Sequence, residues 1–172
     1  MLVPILLLIA VILVILWIPI GLYNSVKRKA VAVEEQYSNI DVNLKRRADL
    51  IPNLVNTVKG YTQHEEKTLT NLVKLRTAIR QNDDPEKAGK LNAMLSKQFT
   101  NVTLLAENYP DLKASDQFLK LQDEITDTED RIAGARKFYN LAVSDLNNAC
   151  ETFPSNLFAK MAHVEKAKFF EK

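Results

Sequence analysis

The chain has 172 residues, of which 23 are Lys or Arg and 21 are Asp or Glu, for a formal net charge of +2. That balance excludes a nucleic-acid binder, which would carry a clear basic excess. Cys150 is the single cysteine, so no intrachain disulfide forms, and 4 Gly with 6 Pro are too few for an all-β chain full of tight turns.

Residues 2–23 read LVPILLLIAVILVILWIPIGLY, without one charged side chain. At about 1.5 Å rise per residue, such a helix is about 33 Å long, against about 30 Å for a bilayer's hydrocarbon core. A cleaved signal peptide would show a basic n-region, a shorter apolar run and a small-x-small site. Here only Met1 precedes the run, which ends on Pro19, Gly21 and Tyr23. The expectation is a transmembrane anchor over residues 1–24 and one cytoplasmic helical domain over residues 25–172. Lys27, Arg28 and Lys29 on the C-terminal flank set that orientation, with the N-terminus outside. The same triplet is a candidate contact for lipid headgroups, although a plain topology signal is the simpler explanation. Trp17 and Tyr23 suit the membrane interface.

Beyond the anchor, Val33, Tyr37, Ile40, Leu44, Arg47, Ile51, Leu54, Val58, Tyr61, Glu65, Thr68, Leu72, Leu75 and Ile79 recur every four and then three residues. This period of about 3.5 marks helices packed side by side. The pattern predicts one long helix to about Gln81, kinked at Pro52, where a backbone hydrogen bond is lost. A second helix should run over residues 85–108, ended by Tyr109-Pro110. The third opens at Ser115 or Asp116 and carries Phe118, Leu121, Ile125, Ile132, Tyr139 and Leu146 towards Phe153. A short amphipathic fourth helix is expected within residues 156–170. The fold class is therefore all-α: an N-terminal span, then an antiparallel up-and-down bundle of three long helices and a short C-terminal one.

Chemistry is scarce. Bundles can hold di-metal sites on Glu-x-x-His pairs, but Tyr61 and Lys160 stand three residues before His64 and His163. There is no phosphate-binding glycine loop and no nucleophile elbow. Cys150 flanks an apolar seam without a basic neighbour, as a packing residue does. No catalytic, cofactor-binding or metal-binding residue is expected, and no enzyme.

Arg47 is the anomaly, a charge at a seam position. An arginine among apolar neighbours needs a carboxylate, for which Glu129 is the candidate, with Asp130 or Glu124 as further ones, or else it snorkels to solvent.

The run Asp41-Val42-Asn43-Leu44-Lys45-Arg46-Arg47-Ala48-Asp49-Leu50-Ile51-Pro52-Asn53-Leu54-Val55 resembles the LemA family. So do Ala106-Glu107-Asn108-Tyr109-Pro110-Asp111, Ala135-Arg136-Lys137-Phe138-Tyr139-Asn140 and Phe153-Pro154-Ser155-Asn156. The resemblance covers essentially the whole chain. It departs at His163-Val164-Glu165, where the family is richer in Gly and aromatics. It implies a bacterial inner- or plasma-membrane protein with one span, a helical bundle, no established enzymatic activity and a role in organising membrane.

Two functional readings follow. One is a structural protein that self-associates in the bilayer to scaffold or shape it. A second helix half the length of the first would not cover Tyr37, Ile40 and Leu44, which then need the longer third helix, the C-terminal tail or a second copy of the chain; they are the candidate surface for a homo-oligomer. The other is a monomeric or dimeric adaptor for a signalling or proteolytic membrane partner.

Overall fold

A computed structural model describes residues 2–62 and 65–171, with the side chains of residues 2–5 and 7–16 outside the described set. The chain is helical throughout, with no strand among the described residues. Among the described residues seven helices follow in order: α1 (Leu2–Asp49), α2 (Ile51–Lys59), α3 (Glu66–Arg80), α4 (Pro85–Ala106), α5 (Pro110–Lys113), α6 (Asp116–Glu151) and α7 (Ser155–Met161).

The expected span over residues 2–23 falls largely on side chains outside the described set. Among the described residues, no helix is long and apolar enough to cross a membrane.

The long first helix is corrected in two places. Pro52 has no N–H to give Ala48, and α1 closes at Asp49; Leu50 keeps helical angles (φ −76°, ψ −19°), so the axis is only interrupted. The larger change lies beyond Gly60, where the chain reverses and α3 returns along α2. The heptad pattern continues in phase through Tyr61, Glu65 and Thr68, which disguises the reversal as one helix. The hairpin closes on Asp49, whose Oδ1 accepts from Arg80 Nη1 at 2.7 Å, with Arg76 Nη2 at 3.6 Å.

This reversal decides where α4 begins. Its N-cap is Asp84, whose Oδ1 accepts from the Glu86 N–H at 2.9 Å, and Pro85 supplies the first turn. Asp83 and Asp84 lie near enough to Tyr37 for their charges to act on it. Further along both helices Arg47 of α1 meets Asn92 and Ser96 of α4 at 2.8 and 2.9 Å, so α4 runs in the same direction as α1 instead of folding back from the far end.

Two compact units result. One comprises Gln36–Tyr139 with Phe169–Lys172, the other Met1–Glu35 with Asn140–Lys168. In the first, the end of α1 with α2, α3, α4 and the first part of α6 bury Ile40, Leu44, Ile51, Leu72, Leu95 and Phe118. Residue pairs Tyr37–Tyr139 and Arg47–Glu129 set α6 antiparallel to α1. In the second, Val26, Ala149 and Ala159 form a small core, with Cys150, Phe158 and Val164 against it.

The C-terminal tail is shorter in helix than expected. His163 adopts φ 51°, the Val164 N–H reaches Ala159 O at 3.0 Å and the His163 N–H reaches Lys160 O at 3.1 Å. That is the Schellman arrangement, and it stops α7 after 7 residues. Extended chain follows, tied down where Asn147 Nδ2 donates to Ala167 O (3.0 Å) and the Ala167 N–H donates to Asn147 Oδ1 (2.9 Å).

Candidate functional site: a buried arginine between three helices

Arg47 is the largest fully buried side chain, at 0% exposure. It sits in the last turn of α1, on the face that also carries Ile40, Leu44 and Ile51, so helical phase drives it inward. Burial of a guanidinium without partners is costly, and the surrounding helices supply them. From α4, Asn92 Oδ1 and Ser96 Oγ accept from Nη1 at 2.8 and 2.9 Å. From α6, Glu129 Oε2 accepts from Nη2 at 2.8 Å. Ser96 Oγ also donates to Glu129 Oε1 at 3.1 Å, which makes a closed polar ring. The Phe99 ring lies 5.1 Å from the guanidinium carbon, within cation–π range. Arg47 Nε alone has no partner.

The expected pair of Arg47 and Glu129 is thus in contact, but it is asymmetric. Arg47 is enclosed, whereas the Glu129 side chain is 49% exposed. Burial pushes the Arg47 pKa down from its usual value, while the charge and hydrogen bond of Glu129 act in the opposite sense. The sequence reading missed Asn92 and Ser96. Their i, i+4 spacing on α4, beside the Leu91–Leu95–Phe99 face, is the signal that finds them.

Two grooves between α4 and α6 flank this ring. One, of about 400 Å³, is lined by Phe99, Thr103, Gln122 and Thr126; the other, of about 300 Å³, is lined by Asn92, Ile132 and Arg136. Ser96 and Glu129 border both. This arrangement ties three helices together through one cation. Among the described residues no group of His, Cys, Asp and Glu is placed to hold a metal ion, and His64 lies outside them. Cys150 packs against the small core, and burial raises its thiol pKa, as suits an inert packing residue.

The other candidates fall elsewhere. Ile40 and Leu44 are 0% and 1% exposed, and the Tyr37 ring lies 6.0 Å from that of Tyr139. Ile40 and Leu44 of the expected self-association stripe are therefore buried within the chain itself, and Tyr37 is half-buried against Tyr139. Lys27 and Arg28 are exposed and Lys29 is half-buried; Trp17 is 70% exposed and Tyr23 is half-buried.

Fold and site define an all-helical protein whose bundle closes around a hydrogen-bonded arginine. Comparison with known proteins places it further: the LemA family matches residues 36–172, and the chain belongs to that family. It is similar to Protein LemA of Metamycoplasma hominis, 26% identical over 88% of this chain and 70% of that protein. It is also similar to Magnetosome protein MamQ 2 of Paramagnetospirillum magneticum, 25% identical over 87% of this chain. Magnetosome protein MamQ of Magnetospirillum gryphiswaldense is 24% identical over 86%. The chain spans 64% of the length of these magnetosome proteins.

Proposed function

We propose that this protein is a non-enzymatic helical bundle anchored in a membrane by residues 2–23, N-terminus outside, which self-associates to scaffold or shape the bilayer. The observation that supports anchoring is α1 itself. A single helix, Leu2–Asp49, carries the uncharged run, the basic triplet at Lys27–Lys29 and Arg47 of the bundle. Its relatives named as magnetosome proteins are in keeping with a place at a membrane. Anchors held parallel in one membrane raise the effective concentration of neighbours. Exposed apolar side chains such as Val42 (61%) and Phe138 (63%) are the surfaces left for contact between copies.

The burial of Ile40 and Leu44 within one chain favours a second reading, an adaptor that needs no other copy of itself. One experiment separates the two. Full-length protein in membranes is washed with alkaline carbonate, then extracted in mild detergent, and its particle mass is measured. Retention through the wash and a multimeric particle are expected. Release by carbonate overturns the anchor, and a monomeric particle overturns scaffolding in favour of the adaptor.

A further inference from the structure

The unit made of Met1–Glu35 and Asn140–Lys168 ends in an apolar surface that the bundle does not use. Its core joins Val26 of α1 to Ala149 of α6 and Ala159 of α7. That contact fixes heights along α1. Tyr23, the last residue of the apolar run, precedes Val26 by three residues, about 4.5 Å of helix. On α6, which runs towards it, Phe153 follows Ala149 by four residues. The end of α6 and the whole of α7 therefore stand beside the exit of the apolar run.

Three large apolar side chains here face outward: Phe153 at 80%, Leu157 at 51% and Met161 at 67% exposure. Leu157 and Met161 are one helical turn apart on α7 and lie opposite Ala159, the residue turned inward. The segments around them carry only cations, with Glu34, Glu35, Glu151 and Glu165 just beyond. Residues 24–33 and 152–164 contain Lys27, Arg28, Lys29 and Lys160 and no Asp or Glu. The adjoining carboxylate of Glu151 is hydrogen-bonded to Lys166. An apolar face flanked by cations, on a short helix beside a membrane-length run, has the composition of an element lying in a bilayer interface.

We propose that α7 with Phe153 rests on the membrane. Phe153, Leu157 and Met161 enter the acyl boundary, while Lys160 and the Lys27–Lys29 triplet meet anionic headgroup phosphates. The inference rests on the reading of residues 2–23 as an anchor. Its consequence is that α7, and not the anchor alone, reads the lipid surface.

Tryptophan depth measurement tests both layers separately, because Trp17 is the single tryptophan. Full-length protein is reconstituted into phosphatidylcholine vesicles with and without phosphatidylglycerol, containing lipids brominated along the acyl chain. Wild-type emission from Trp17 reports the anchor. Leu157→Trp in a Trp17→Phe background reports α7, and Val42→Trp in the same background reports a site about 28 Å of helix beyond Tyr23. The expected result is a blue-shifted maximum and bromine quenching at Leu157→Trp comparable with that of Trp17, greater with phosphatidylglycerol, and none at Val42→Trp. Quenching of Trp17 with none at Leu157→Trp overturns the proposal and leaves the anchor standing. Loss of quenching at both positions overturns the anchor and the proposal with it. Equal quenching in both lipid mixtures overturns the role given to the basic side chains.

Discussion

A side chain on Gly89 would collide with the carbonyl oxygen of Glu171: a Cβ built there lies 2.2 Å from it. Gly89 is the fifth residue of α4, inside a helix where glycine is worse than alanine by about 0.5–1 kcal/mol. The close approach explains it. Phe170, 3% exposed, is buried next to this contact, so the last residues of the chain dock on the unit that begins at Gln36.

Gly89→Ala therefore sets a helix gain against a backbone collision that no rotamer relieves. The net expectation is a loss of about 1–3 kcal/mol, with earlier proteolysis of the C-terminus. Denaturant unfolding of the full-length protein in detergent measures the first, and limited digestion the second. A gain of about 1 kcal/mol with unchanged digestion would show that the tail does not dock.

Arg47→Ala removes a cation and leaves Glu129, Asn92 and Ser96 facing an empty space, at an expected cost of about 3–5 kcal/mol. Glu129→Ala should cost less, about 1–2 kcal/mol, because its carboxylate is half in solvent and Arg47 keeps two acceptors. A double-mutant cycle reads the coupling directly. Coupling near zero would reduce the pair to a coincidence of positions.

The Tyr37 hydroxyl is buried without a hydrogen-bond partner. Burial, then the charges of Asp41, Asp83 and Asp84, push its pKa up to about 12 from 10.0. The folded state thus holds this proton more tightly than the unfolded one. The associated stability is complete below about pH 10 and falls as pH rises through about 12. Tyr37→Phe should be neutral or stabilising at pH 7, since it removes an unmet polar group. It should also flatten the alkaline decline, leaving the smaller part due to Tyr139, whose pKa burial raises too. Thermal melts between pH 8 and 12 on both proteins decide this, and a variant clearly less stable at pH 7 would mean the hydroxyl has a partner.

His163 occupies the left-handed position that ends α7, at φ 51°. A β-carbon there costs about 1–2 kcal/mol, and glycine removes that cost while adding freedom to the unfolded chain. His163→Gly should raise stability by about 0.5–1 kcal/mol. A destabilised variant would point to a contact made by the imidazole.

Local rules were enough for much of this protein. Periodicity, Pro85 and Asp116 set helices near their true positions, and the run of motifs from Asp41 to Phe153 pointed to the LemA family. Charge and phase also marked Arg47 as either paired with a carboxylate or snorkelling to solvent, and packing decided for the pair with Glu129. What periodicity cannot encode is which neighbour covers that face. Residues 61–68 keep the phase of one helix while the chain turns back after Gly60, because a heptad position specifies direction around an axis and not the path of the axis. That reversal set α4 beside the end of α1, where Asn92 and Ser96 reach Arg47, while Ile40 and Leu44 are buried within the chain. Gly89 against Glu171, like Asn92 and Ser96 around Arg47, joins residues 45 or more apart in sequence or separate helices whose meeting only three-dimensional packing decides.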